Sequence, residues 1–210
     1  MNTLNISNSL KLHFKEIKKI LDKIGEPVEG NFICHTTTDN LLLEKHKEKI
    51  FNLQSLVKNK KNICEIGFNA GHSLLLMIDS NPDADYQIFD LGEHKYARPC
   101  LKYIKTAFPN TKINCVFGDS KKTLKDYFES NNKDIFDFFH VDGGHGIDEV
   151  ESDFYYSSLL TKTNSVILFD DYNHKVIKKF LNKKINENKI NEIENYIKTK
   201  YHLAYRTHNE

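Results

Sequence analysis

The chain has no surplus of either charge. Thirty lysines and arginines stand against 29 aspartates and glutamates, a net charge of +1. A general nucleic-acid binder carries a marked basic excess, so no nucleic-acid partner is expected. No apolar run approaches the roughly 18 residues of a membrane span. The amino end, MNTLNISNSLKLHFKEIKKIL, has no uninterrupted apolar stretch of signal-peptide type. The expectation is therefore no membrane partner and a cytoplasmic location, with the sequon Asn5-Ile6-Ser7 idle. The four cysteines, Cys34, Cys64, Cys100 and Cys115, form no CxxC pair, which points to a reduced protein without structural zinc. Cys64 and Cys115 sit in apolar, strand-like runs, where a free cysteine acts as a small buried hydrophobe. There is no internal repeat and no low-complexity linker, and 210 residues suffice for one domain with a sizeable core.

What is present divides into two rhythms. In the first 60 residues Leu10, Phe14, Ile17, Leu21 and Ile24 recur at spacings of three and four, one face of a helix. Gly25, Pro27 and Gly30 break that pattern, and a second helix is expected over residues 40–57, with Asp39 or Asn40 as its cap. From Asn62 onward short apolar runs alternate with helical stretches. The runs are NICEIG, YQIFD, INCVFGD, FDFFHVD and SVILFDD; the helices between them begin near Gly71, Tyr96, Ser120 and Gly146. Such alternation predicts a parallel sheet covered on both faces. One more helix follows from His174, then two weaker strand candidates at residues 190–197 and 201–206. The expected organisation is an α/β fold, with residues 1–60 as an amino-terminal helical cap or lid and 61–210 as the main unit.

Four of the five strand runs end in an acid or carry one just beyond: Asp90, Asp119, Asp142 and the pair Asp170-Asp171. Ligands of an open parallel sheet bind outside the carboxyl ends of its strands, so acids on that edge mark a candidate site. The competing explanation is that each aspartate caps the helix after it.

The first strand run leads into EIGFNAGHS. Glycines in this turn let the backbone approach a ligand closely, and the helix that follows favours a negative group at its amino end. A phosphate-binding GxxxxGK[ST] loop is excluded, because no lysine is present, and GxGxxG fails, because three residues separate Gly67 from Gly71. The pattern that fits is ExGxxxG.

EIGFNAGHS resembles the first motif of class I S-adenosylmethionine-dependent methyltransferases, and the resemblance continues in order. IFDLGEHKY places an acid about 20 residues on, as for a ribose-binding carboxylate. VFGDS resembles the adenine-contacting turn after the third strand. FFHVDGGH and LFDDY resemble the fourth and fifth strand ends of the metal-dependent O-methyltransferase branch. The resemblance covers roughly residues 60–172. It implies a Rossmann-like fold with a mostly parallel seven-stranded sheet, and S-adenosylmethionine as cofactor. Glu65, Gly67, Asn69, Gly71 and Ser73 would meet its methionine end, Asp90 its ribose, and Asp119 and Ser120 its adenine.

Methyl transfer to oxygen needs an activated acceptor, because an alcohol is a poor nucleophile until it loses its proton. A general base and a divalent cation are the two devices available. Asp142, Asp170 and Asp171 are hard oxygen donors suited to Mg²⁺. His145, beyond a Gly-Gly turn from Asp142, has an ordinary pKa suited to accepting a proton at neutral pH. Asp142 and His145 are thus the catalytic candidates. His140 is a packed core residue on this reading. His145 bonding only to backbone, and Asp170-Asp171 capping the helix from His174, remain open alternatives.

The family's catechol and caffeoyl-CoA type members carry Asp-Asn where this chain has Asp170-Asp171. An acid-Asp pair with Asp-Gly-x-His resembles the sugar O-methyltransferases, which implies a small-molecule or glycan acceptor. A homodimer is a further expectation from the family. His35 and Thr36 to Thr38 are lid candidates; His94 and Tyr96 have no assigned task. Three other functions compete: a metal-independent methyltransferase, a nucleotide-binding oxidoreductase and a non-catalytic cofactor-binding module.

Overall fold

The apolar stripe Leu10, Phe14, Ile17 and Leu21 folds into helix α1 (Asn8–Ile24) and is buried. Each such side chain contributes roughly 1.5–3 kcal/mol when removed from water. Ser7 caps the helix by accepting from the Leu10 N–H at 2.9 Å, and its own hydroxyl donates to Asp79 at 2.6 Å. At the other end Gly25 adopts a left-handed φ of 72° and donates to the Leu21 carbonyl, the usual way a glycine stops a helix. The structure, a computed structural model, describes residues 6–28, 46–131 and 135–207. Cys34, His35, Thr36 to Thr38, Asp39 and Asn40 lie outside the described residues. The second helix is described as α2 (Lys47–Leu56).

The five apolar runs become β1 (Asn62–Ile66), β2 (Asp85–Asp90), β3 (Ile113–Phe117), β4 (Phe136–Val141) and β5 (Thr161–Phe169). The helices between and after them are α3 (His72–Ser80), α4 (Ala97–Ala107), α5 (Ser120–Asn131), α6 (Ile147–Leu160) and α7 (Lys175–Asn186). Two short strands, β6 (Ile190–Glu192) and β7 (Leu203–Thr207), complete the sheet. Its order is β3-β2-β1-β4-β5-β7-β6. The pairs from β3 to β5 are parallel, and β7 runs antiparallel to both β5 and β6. The seven-stranded, mostly parallel sheet with helices on both faces is the Rossmann-like methyltransferase architecture the sequence implies.

Alternation along the strands sorts side chains into two cores. Ile63, Tyr86, Ile88, Phe138 and Leu168 join the core built with α1 to α4. Cys64, Phe89, Phe139 and Ile167 join the opposite core, with α5 to α7. Cys64 is fully buried as expected, while Cys115 is half-buried. Helix α2 is pinned by a reciprocal pair: Asn52 Nδ2 donates to the Ile197 carbonyl and the Ile197 N–H donates to Asn52 Oδ1, both at 2.7 Å. No helix of the described residues is long and apolar enough to cross a membrane.

Candidate functional site

From β1 the chain moves outward through β2 to β3, then crosses back to place β4 on the other side of β1. A crevice opens at such a reversal, outside the carboxyl ends of the strands. Here it is a cavity of about 840 Å³ lined by Gly67, Asn69, Ser73, Asp90, Asp119 and Ser120 on one side of the reversal and by Asp142, His145, Asp170 and Asp171 on the other. The volume falls within the range of a small-molecule or cofactor pocket.

Gly67 has a left-handed φ of 91°, and a Cβ there would lie 1.9 Å from the Asp142 carbonyl oxygen. What approaches this glycine so closely is another strand's backbone. The Gly67 N–H donates to the Phe89 carbonyl at 2.8 Å and the Asp142 N–H to the Ile66 carbonyl at 2.9 Å. The end of β1 is thereby latched to the ends of β2 and β4, which brings the two halves of the cavity together.

The Asp90 carboxylate is held by its neighbours: Oδ2 accepts from the Asn69 N–H at 2.9 Å and Oδ1 from the Gly92 N–H at 2.7 Å. Each oxygen keeps further acceptor capacity toward the cavity. Asp119 caps α5 by accepting from the Lys121 N–H at 2.9 Å and also lines the cavity, so capping the helix does not remove it from the candidate site.

At the other end, Lys49 of α2 places its ammonium 2.7 Å from Asp170 Oδ2, with the two side chains 13% and 6% exposed. His202 Nε2 lies 3.5 Å and His140 Nε2 3.9 Å from the same oxygen. Burial opposes the charge on Asp170, but His202 and Lys49 outweigh it and hold the carboxyl well below its ordinary range. Burial opposes the charge on Lys49 too. Its pKa is nonetheless held above the ordinary value by Asp170, Asp142 and Asp171. Asp142 is pushed up to about 7, by burial first and then by the charge of Asp170.

Among the described residues, the trio whose ligand atoms come within 4.8 Å of one another is His140, Asp170 and His202, a nitrogen-rich set. Mg²⁺ takes oxygen ligands. The oxygen it would need from Asp170 is bonded to an ammonium, and Asp171 Oδ2 lies 2.9 Å from His145 Nε2. The arrangement does not fit the expected Asp142, Asp170, Asp171 magnesium set. Nor do these acids cap α7: its N-cap, His174, has no side-chain cap bond, and Asp170 accepts from the Asp171 N–H instead.

His145 is half-exposed on the cavity wall and stacks on His174 at 4.7 Å. Asp171 sits in the left-handed region, φ 52°, a conformation that aspartate tolerates better than most residues. An Asp–His pair of this kind orients one ring nitrogen and leaves the other to exchange a proton.

A family model described as O-methyltransferase matches residues 30–199. The chain belongs to the O-methyltransferase family. It is an S-adenosylmethionine-dependent O-methyltransferase by that membership. No curated protein sequence matches it. Similar solved structures include a Podospora anserina methyltransferase bound to SAH, 15% identical, TM-score 0.65, covering 99% of this chain and 91% of that one. A Bacillus cereus O-methyltransferase in complex with SAH is 16% identical, TM-score 0.65, covering 97% and 91%. A TDP-rhamnose 3'-O-methyltransferase of calicheamicin biosynthesis is 15% identical, TM-score 0.64, covering 96% of each chain. At these identities the likeness is one of fold.

In this O-methyltransferase two of the expected cofactor residues stand off the cavity wall. Glu65 is 1% exposed and faces His140, whose Nδ1 is 3.0 Å from Glu65 Oε1. Strand alternation turns it inward beneath the site. Gly71 is a packing glycine: with φ 82°, its Cβ would meet Ile104 and the Phe68 ring at 2.6 Å. His140 is buried, as expected, but it lines the cavity and faces Asp170, so it is not only a packed core residue. His94 and Tyr96 now have surroundings. His94 pairs with Glu26 at 2.9 Å and stacks on the Tyr96 ring, and His94 itself lines the cavity.

Lys49 and His202 were not singled out from the sequence. Lys49 lies in the run EKHKEKIF, where one lysine carries no mark of its burial, and His202 is separated from Asp170 by 32 residues (202 − 170).

A buried acid outside the cavity gives a stability prediction. Asp153 of α6 is 1% exposed and burial raises its pKa to about 7. Its proton is bound more tightly in the folded than in the unfolded chain, so its contribution to stability is full below the ordinary pKa of 3.8 and is lost as pH rises toward 7. Asp153→Asn should therefore gain on wild type between pH 4 and pH 8. Thermal melts of both proteins at each pH check this; a constant difference between them would refute it.

Proposed function

We propose that this O-methyltransferase methylates a hydroxyl of a small polar acceptor, a sugar by preference, with His145 taking the hydroxyl proton. The observation that carries the reading is one cavity joining the Gly67–Asp90 side of the sheet to the Asp142–His145–Asp171 side. S-adenosylmethionine, when bound, would supply a methyl group on a positive sulfur, already activated for transfer to an acceptor oxygen. Asp90, whose oxygens accept from two backbone N–H groups, would accept from the ribose hydroxyls on this reading. Asp119 and Ser120 flank the adenine end, and Ser73 and the backbone near Gly67 and Asn69 the methionine end. Asp171 holds His145 through Nε2, so Nδ1 is the nitrogen that accepts the acceptor's proton. The Asp170-Asp171 pair favours the sugar reading, and a TDP-rhamnose O-methyltransferase stands among the similar folds.

Titration calorimetry with S-adenosylmethionine, SAH and NAD tests the cofactor. SAH release in the presence of sugar nucleotides, catechols and amines tests the acceptor. Binding of NAD without either adenosyl ligand would overturn the proposal, and turnover on amines alone would overturn the hydroxyl acceptor.

The pH profile offers a sharper check. Asp171 raises the His145 pKa above its ordinary 6.5 through their hydrogen bond. A base must be unprotonated, so kcat/KM should fall as pH drops through that raised value. Asp171→Asn removes the hydrogen bond to a charged partner, so the acidic limb should move to lower pH. A limb that stays in place would rule out the pairing.

A further inference from the structure

We propose that the Lys49 ammonium is the resident cation of this site, a tethered charge among Asp142, Asp170 and Asp171 that stands where a divalent ion would otherwise offset the same acids. The inference deepens the methyl-transfer reading and rests on it for its catalytic meaning.

Four observations carry it. The Lys49 ammonium is 2.7 Å from Asp170 Oδ2, with both side chains largely withdrawn from water. All three carboxylates act on it electrostatically. It lines the same cavity as those acids, together with Ile50 and Leu53 of its own helix. Its helix is fixed by the reciprocal Asn52–Ile197 bonds, and the ammonium also lies 5.5 Å from the centre of the Tyr201 ring. A long, flexible side chain is normally solvated; here packing and a backbone clamp deliver it to a particular carboxylate.

The chemical consequence concerns the acceptor. A hydroxyl losing its proton beside three aspartates would be repelled by them, and a cation must offset that field. A metal ion does so and can be removed by a chelator. An ammonium on the chain cannot. Lys49 is accordingly a positioning residue for the acids and for the acceptor's developing negative charge. Its place in the sequence, before the strand motifs begin, ties the amino-terminal helices to the chemistry.

The test titrates Mn²⁺ and, separately, Zn²⁺ into wild type and Lys49→Met, with SAH binding measured on both. Wild type is expected to show no stoichiometric metal binding, and EDTA to change its turnover by less than about twofold. Lys49→Met keeps an unbranched side chain, one heavy atom shorter, and removes its charge. It should gain one Mn²⁺ site, tightening binding by about tenfold or more, since three acids lose their tethered cation. Its turnover should drop about a hundredfold and recover in part with Mn²⁺. A purely structural lysine would produce neither the new site nor the recovery. One equivalent of Mn²⁺ or Zn²⁺ on wild type, with turnover abolished by EDTA, would overturn the proposal. So would a folded Lys49→Met that gains no metal. If Lys49→Met does not fold, Lys49→Gln replaces it, and the wild-type titration decides by itself. Failure of SAH to bind to either protein would sink the methyl-transfer reading, while the metal titrations would still decide the cation.

Discussion

Gly67→Ala is expected to cost on the order of 3–5 kcal/mol of folding stability, much of what a typical domain has. A Cβ at this position would lie 1.9 Å from the Asp142 carbonyl oxygen and 2.7 Å from its carbon. Both are backbone atoms, so no side chain can swing aside to make room. Either β1 or the turn after β4 must shift, and the Asp142 N–H bond to Ile66 goes with it. The positive φ of 91° adds strain, roughly 1–2 kcal/mol for a residue with a Cβ. Gly25→Ala separates the two causes. Gly25 also has a positive φ, 72°, but nothing lies within 4 Å of its Cβ position. It should lose only the strain. Denaturant midpoints of the two variants, with SAH titrations on both, read the difference. Gly67→Ala should lose SAH binding as well, because the cavity's halves meet at this latch. Equal losses in the two variants would show that the close approach does not constrain the fold.

His145→Ala should lower kcat by roughly 10²–10⁴-fold, the usual contribution of a positioned general base. SAH affinity should stay close to wild type, because His145 lies at the acid end of the cavity, across the reversal from Gly67 and Asp90. Stability should change little, since the side chain is 45% exposed. The split between kcat and cofactor affinity is what makes the test informative. A drop in SAH affinity with kcat preserved would move His145 from base to binding residue. A loss in kcat below about threefold would leave no room for a general base there.

Local pattern determined most of the architecture. The spacing of Leu10, Phe14, Ile17 and Leu21 predicts α1, and the apolar runs predict the five parallel strands, because burial periodicity is written residue by residue. The ordered motifs from EIGFNAGHS to LFDDY bring out the family and the carboxyl-edge acids for the same reason: a turn glycine or a strand-end aspartate is needed at a fixed place in the chain. The later strands were less legible. Three residues suffice for β6, too few for a period to show.

The tertiary structure decided which group each of these residues meets. Gly67 makes room for the Asp142 backbone and Gly71 for Phe68 and Ile104, where the sequence alone suggests a ligand. Glu65 turns toward His140 and does not itself line the cavity. Most of all, Asp170 meets Lys49, from a helix that precedes the first strand, and His202, which immediately precedes the last strand. Electrostatic partners as far apart in the chain as Lys49 and Asp170 leave no periodic trace, and a buried lysine reads like a solvated one until packing brings it to its acid.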